Sequence, residues 1–346
     1  MRKLIFLLFF LSVVIVPVNA LDYTAPTVSA DAEALMPVEV ESFGEGLWKV
    51  ITSAVSALQP DIADAAQVCF SLIAVVMLVS LLKAMPAGTS RILEFAGVLA
   101  IAAVLLNRTS SMIGVAADTV DELSEYGKLL LPVMTAVTAA QGGTTSSAAL
   151  YTGTAIFDAI LSTGIAKLLI PLVYMFLALS IAACATGEQM LKKMKGFVKW
   201  LTTWSLKIIL YLFTGYMGIT GVVSGTADAA AVKATKLTMS GMIPVVGGIL
   251  SDASEAVIVG AGVMKSAIGV YGLLAVIAIW IAPFLKIGVL YILLKLTAAL
   301  CEAFGVKPMS EMIEAISTAM GLLLGMTGSV CILLLISTVC FMKGLG

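Results

Sequence analysis

Histidine is absent from the whole chain, which removes much chemistry at once. Ser-His-Asp and Cys-His hydrolysis need an imidazole as general base, and His-ligated metal sites need it as a donor. The five cysteines are Cys69, Cys184, Cys301, Cys331 and Cys340. They lie in or at the ends of apolar runs and never as Cys-x-x-Cys, so they read as small apolar residues of helix packing. Gly260-Ala261-Gly262-Val263-Met264-Lys265-Ser266 has the outline of a phosphate loop. That pattern requires Gly directly before the Lys, and Met264 stands there instead. No clear acidic pair shares one apolar run. The residues offer no catalytic group, no cofactor-binding group and no metal ligand, and the chain reads as a protein that is not an enzyme.

The polar residues inside apolar runs are few. Lys167, Lys207, Lys286 and Lys295 lie in or near such runs. A charge at mid-membrane costs a few kcal/mol or more, so these side chains must face the protein interior or reach for the head groups. Lys295, within Leu293-Leu294-Lys295-Leu296, is the candidate for a polar pathway, with Asp158 as a second member.

The most unusual stretch runs over residues 241–255. Pro244 lacks an N–H, Gly247 and Gly248 loosen the backbone, and Ser251 or Asp252 can cap a new helix with Glu255 in its first turn. A broken apolar segment cannot face lipid, because its backbone groups would go unpaired. It must be buried or line a wet cavity, unless it is a plain surface loop. Gly221/Gly225 and Gly321/Gly325 form Gly-x-x-x-Gly rows, which let helix backbones approach closely, within the chain or between subunits.

The elements that must carry these residues follow from composition. Of 346 residues, 60% are hydrophobic and 12% charged, with a mean hydropathy of +1.10. A soluble domain is about 45–50% apolar and about 25% charged. The fold class is therefore all-α, a polytopic bundle of transmembrane helices with re-entrant or broken helices, its main partner the lipid bilayer. A net charge of −1 provides no basic field for nucleic acid.

Met1-Arg2-Lys3, a short apolar run and Ala20 describe a signal peptide over residues 1–20, with cleavage expected after Ala20. Residues 21–64 are acidic and belong outside the cytoplasm, followed by a polytopic membrane domain over 65–346. A helix is expected over about 43–58, then spans at about 65–82 and 92–106. Over 108–128, Ile113, Ala116, Val120 and Leu123 recur at helical spacing beside four acids, which predicts a helix packed on protein rather than on anionic lipid. Lys192, Lys193, Lys195 and Lys199 form the densest basic cluster and should be cytoplasmic. Between residue 128 and that cluster lie three apolar segments, and one or three crossings both satisfy the charge rule. A further span is expected at about 201–223, and apolar segments follow at about 268–283, 285–302 and 319–341.

Leu172 to Cys184 aligns without gaps to Val289 to Cys301, sharing Tyr, two Leu, a hydroxyl residue, Ala and Cys. This suggests an internal repeat with halves of about 108–224 and 225–343.

The run Ile243-Pro244-Val245-Val246-Gly247-Gly248, then Leu250-Ser251-Asp252-Ala253, Gly260-Ala261-Gly262, Lys265 and Gly269, resembles the stage III sporulation protein AE family of endospore-forming Firmicutes. The resemblance covers essentially the whole chain. It implies a membrane component of the conduit between mother cell and engulfed forespore, placed in the mother-cell-derived outer forespore membrane and needed for late forespore development. It also implies partners: other proteins of the same operon, including an ATPase and ring-forming proteins, and a forespore protein that completes the channel. The family brings no established catalytic residues. The alternative reading is a self-sufficient secondary transporter with its site at the broken helix 243–255. Either could assemble as a homo-oligomer.

Overall fold

The structure, a computed structural model, describes residues 28–37, 42–84, 90–140, 145–219 and 267–343, and among them every regular element is helical. In chain order these are α1 (Ala30–Leu35), α2 (Phe43–Ala57), α3 (Gln59–Lys83), α4 (Ser90–Ala140), α5 (Thr145–Gly164), a π-helical turn (Ile165–Leu169), α6 (Ile170–Thr186), α7 (Gln189–Ile219), α8 (Ala267–Glu302) and α9 (Lys307–Lys343). The leader over 1–20, the broken segment and the Gly221/Gly225 row lie outside the described residues.

Local chemistry sets the boundaries. Ser42 Oγ accepts from the Glu45 N–H at 3.3 Å and starts α2, satisfying a donor that the first turn leaves open. Pro60 in the first turn starts α3, where its missing N–H costs nothing. Gly187 and Gly305 both sit at φ 74° and turn the chain from α6 into α7 and from α8 into α9. In the first, the Gly187 N–H donates to Ala183 O at 3.0 Å, closing the helix with a left-handed cap.

Among the described residues, five stretches are long and apolar enough to cross a membrane: Gln59–Lys83, Arg91–Met134, Gly153–Thr186, Gly269–Glu302 and Lys307–Cys340. The protein is thus a polytopic helical membrane bundle. The apolar window of the last stretch is 89% buried and that of the first 28%, so α9 is the central post and α3 a peripheral one. α9 packs along α8, α4 and α6, and α2 lies against α8.

The helices are longer and fewer than hydropathy alone suggests. Segments 92–106 and 108–128 join in α4, whose 51 residues extend about 76 Å at about 1.5 Å per residue. Arg108 does not end the helix, because its guanidinium pairs with Asp64 at 3.6 Å. Segments 268–283 and 285–302 likewise join in α8, which runs through Pro283. The apolar segments at 148–163 and 165–185 form one stretch through the π-helical turn.

Ion pairs gather at two levels. Near one end of the bundle Lys83 pairs with Glu94, Lys192 with Glu311 at 3.0 Å and Lys295 with Glu314 at 2.6 Å. Farther along, Asp64 pairs with Arg108, and Asp61 with Lys286 at 2.9 Å. Asp64 and Lys83 stand about 28 Å apart along α3 at helical rise, close to the roughly 30 Å of a hydrocarbon core. Between the levels the surface is apolar: Phe70, with 72% exposure, Leu78, Leu81, Ile92, Leu99 and Leu296 all face outward. Beyond Arg108, α4 exposes Asp118, Asp121, Glu125 and Lys128 while burying Ile113, Ala116, Val120 and Leu123. That part of α4 packs on protein.

Candidate functional site

Helices α4, α5 and α9 are among those that bring polar groups into the bundle interior. On α5, Thr154, Asp158 and Ser162 recur every fourth residue and are all buried. Spacing of four keeps them on one face of a helix. That face is packed among α4, α7 and α9. Asp158 is only 3% exposed, and its Oδ1 has no hydrogen-bond partner among the described residues.

Glycine on α4 makes the approach possible. A Cβ at Gly127 would stand 2.8 Å from Leu334 Cδ1 and 3.6 Å from Asp158 Oδ2. Gly127 on α4, Asp158 on α5 and Leu334 on α9 therefore meet at one point. One turn from Gly127 lies Ser124, and one turn from Leu334 lies Ser337; the Oγ atoms of both are buried with no partner among the described residues. The neighbouring Thr338 hydroxyl is satisfied within its own helix, donating to Leu334 O at 2.7 Å. On α7 the Tyr216 ring stacks on Phe157 at 4.4 Å, next to Gly153, where a Cβ would come within 2.9 Å of the Tyr216 hydroxyl.

Below the stripe the helix changes its winding. Gly164 precedes the π-helical turn, and Pro171 follows in the first turn of α6. Single π-helical turns within longer helices leave the backbone locally underwound and occur frequently at functional sites.

Lys295 and Asp158 are not brought together. Lys295 stands on the outside of α8, its side chain 51% exposed and bonded to Glu314. Lys286 pairs with Asp61, Lys167 is exposed and Lys207 half-buried. Gly321 and Gly325 are buried on α9, and a Cβ on Gly325 would meet Leu206 of α7 at 3.4 Å, so Gly325 packs against the chain's own helix. Pro244, Gly247, Gly248, Ser251, Asp252, Gly221 and Gly225 lie outside the described residues. Sequence reading missed Thr154, Ser162, Gly127, Ser124 and Ser337. The spacing of Thr154, Asp158 and Ser162 was a usable signal; the two serines on other helices gave none. Among the described residues no group of three or more Cys, Asp or Glu is placed to hold a metal ion.

The family model for stage III sporulation protein AE matches residues 34–344. The chain belongs to the stage III sporulation protein AE family. The match begins within α1 and runs past the end of α9, so both levels of ion pairs and the polar stripe lie inside the family region. A curated relative, stage III sporulation protein AE of Bacillus subtilis (strain 168), is 24% identical over 212 residues, covering 61% of this chain and 53% of the relative. The matched region thus spans about half the length of that relative. No solved structure matches.

Proposed function

We propose that this chain is the membrane component of an envelope-spanning, secretion-like channel complex that links mother cell and forespore and is needed for late forespore development. The observation that carries the reading is a bundle longer than the bilayer. Its apolar belt fits one membrane, and the far part of α4 continues with a polar, acidic outer face. A part that both crosses one membrane and reaches beyond it suits a conduit between two. In this reading the Lys192–Lys199 end faces the mother-cell cytoplasm, and the membrane is the outer forespore membrane. The far end meets other stage III sporulation operon proteins, including an ATPase and ring-forming proteins, and a forespore-side channel protein. The role is structural and conductive, with no bond-making chemistry.

A second reading, a self-sufficient secondary transporter, is favoured by the unpartnered Asp158 beside a π-helical turn. Purified chain in liposomes separates the two. The conduit reading expects inertness alone, with solute passage appearing when its operon partners are added. Ion-coupled uptake by the chain alone would replace it with the transporter.

A further inference from the structure

Several acidic side chains of the long apolar helices are matched by cations. Asp61 and Asp64 hold Lys286 and Arg108, Glu94 holds Lys83, and Glu311 and Glu314 hold Lys192 and Lys295. Asp158 is buried more deeply than any of them and has no ion pair among the described residues. A buried carboxylate without a counter-charge is among the least favourable arrangements in a protein interior. The two helices that meet Asp158 at Gly127 and Leu334 each carry, one turn away, a buried hydroxyl, of Ser124 and of Ser337, with no hydrogen-bond partner among the described residues. Carboxylate and hydroxyl oxygens are hard donors, suited to small hard cations.

We propose that Asp158 binds a small monovalent cation, a proton or an alkali-metal ion, at the junction of α4, α5 and α9. Ser124 and Ser337 supply neighbouring polar oxygen. The site lies two turns from the underwound stretch Ile165–Leu169, so loss of the cation leaves an unmatched charge on a helix whose backbone can yield. The elements packed around it carry other titratable groups as well. α4 carries buried Tyr126 and exposed Glu125 and Lys128; α9 carries Cys331 and Cys340; α7 carries Tyr211 and Tyr216; the π-helical turn carries exposed Lys167. The inference concerns the interior of the bundle and does not depend on whether the chain conducts or transports.

The test uses the full chain in detergent and in liposomes. A membrane-permeant carbodiimide adds to a carboxylic acid, whose proton passes to the carbodiimide nitrogen, and leaves an acylurea that peptide mass spectrometry locates. Labelling of Asp158 is expected to fall several-fold as the buffer becomes alkaline. Protection by sodium or potassium at fixed pH identifies an alkali-metal ion; protection by neither identifies the proton. In parallel, the thermal midpoint of the wild type should shift with pH or with sodium or potassium. Asp158→Asn should remain folded and abolish that shift, because the amide has the same shape and no charge. Labelling independent of both pH and salt, or a shift that persists in Asp158→Asn, would overturn the proposal.

Discussion

At the scale of single residues, Gly127 is the position where packing and chemistry are most tightly joined. The side chain that would clash there is Leu334, itself buried, and behind it lies Asp158. Two effects compete in Gly127→Ala. Helix propensity gains about 1 kcal/mol over Gly, and overpacking costs about 1–3 kcal/mol when neighbours must move. Leu334 can yield at its tip, so Gly127→Ala should change the thermal midpoint little. Gly127→Leu cannot be absorbed in this way and should lower both the midpoint and membrane abundance. Melting of the two purified variants checks this, and equal midpoints would show that α4, α5 and α9 are not closely joined at Gly127.

At the scale of elements, the left-handed glycines divide the chain into helix hairpins. The stretches ending at Cys184 and Cys301 each run into such a turn, at Gly187 and Gly305. Gly305 has nothing within 4 Å of an added Cβ, so Gly305→Ala tests backbone strain alone. It should cost roughly 1–2 kcal/mol. Gly196 also has open space around it, but it lies inside α7. There the same substitution should stabilise by about 0.5–1 kcal/mol. Opposite shifts of the thermal midpoint are the expected result; a loss in both would mean that Gly196 is held by a constraint other than its helical backbone.

Element type was legible in the sequence because long apolar runs admit little besides helices. Element length was not. Arg108 has the look of a helix terminus only while its partner Asp64, across a turn and on another helix, is unseen. Pro283 has the look of a break, yet α8 continues through it. The helix expected over 43–58 and the protein-packed face of Ile113, Ala116, Val120 and Leu123 were readable because each is a local, periodic pattern. The ion pairs Lys192–Glu311 and Lys286–Asp61 join residues more than a hundred positions apart, which no local pattern encodes. The polar interior divides the same way: α5's own stripe is periodic, while Ser124 and Ser337 belong to the site only through packing.

At the scale of the whole molecule, the two levels of ion pairs predict where the bilayer sits, and this is open to direct measurement. All five cysteines, Cys69, Cys184, Cys301, Cys331 and Cys340, are buried, so an impermeant thiol reagent should find little background on the folded chain. Single cysteines introduced at Phe70 and Leu99 lie on the exposed apolar surface between the levels and should resist the reagent from both sides of a sealed membrane. A cysteine at Asp121, on the exposed acidic face of α4 beyond Arg108, should be labelled from the side opposite the lysine cluster. A cysteine at Lys193, exposed near the start of α7, should be labelled from the cytoplasmic side alone, since basic residues are retained there. The discriminating site is Asp121. The hydrocarbon core is only about 30 Å thick, whereas α4 extends about 76 Å, so part of that helix must leave the lipid. If Asp121 were shielded from both sides while Leu99 were labelled, the bilayer would surround the acidic stretch of α4 instead, and the apolar belt would have to be covered by protein.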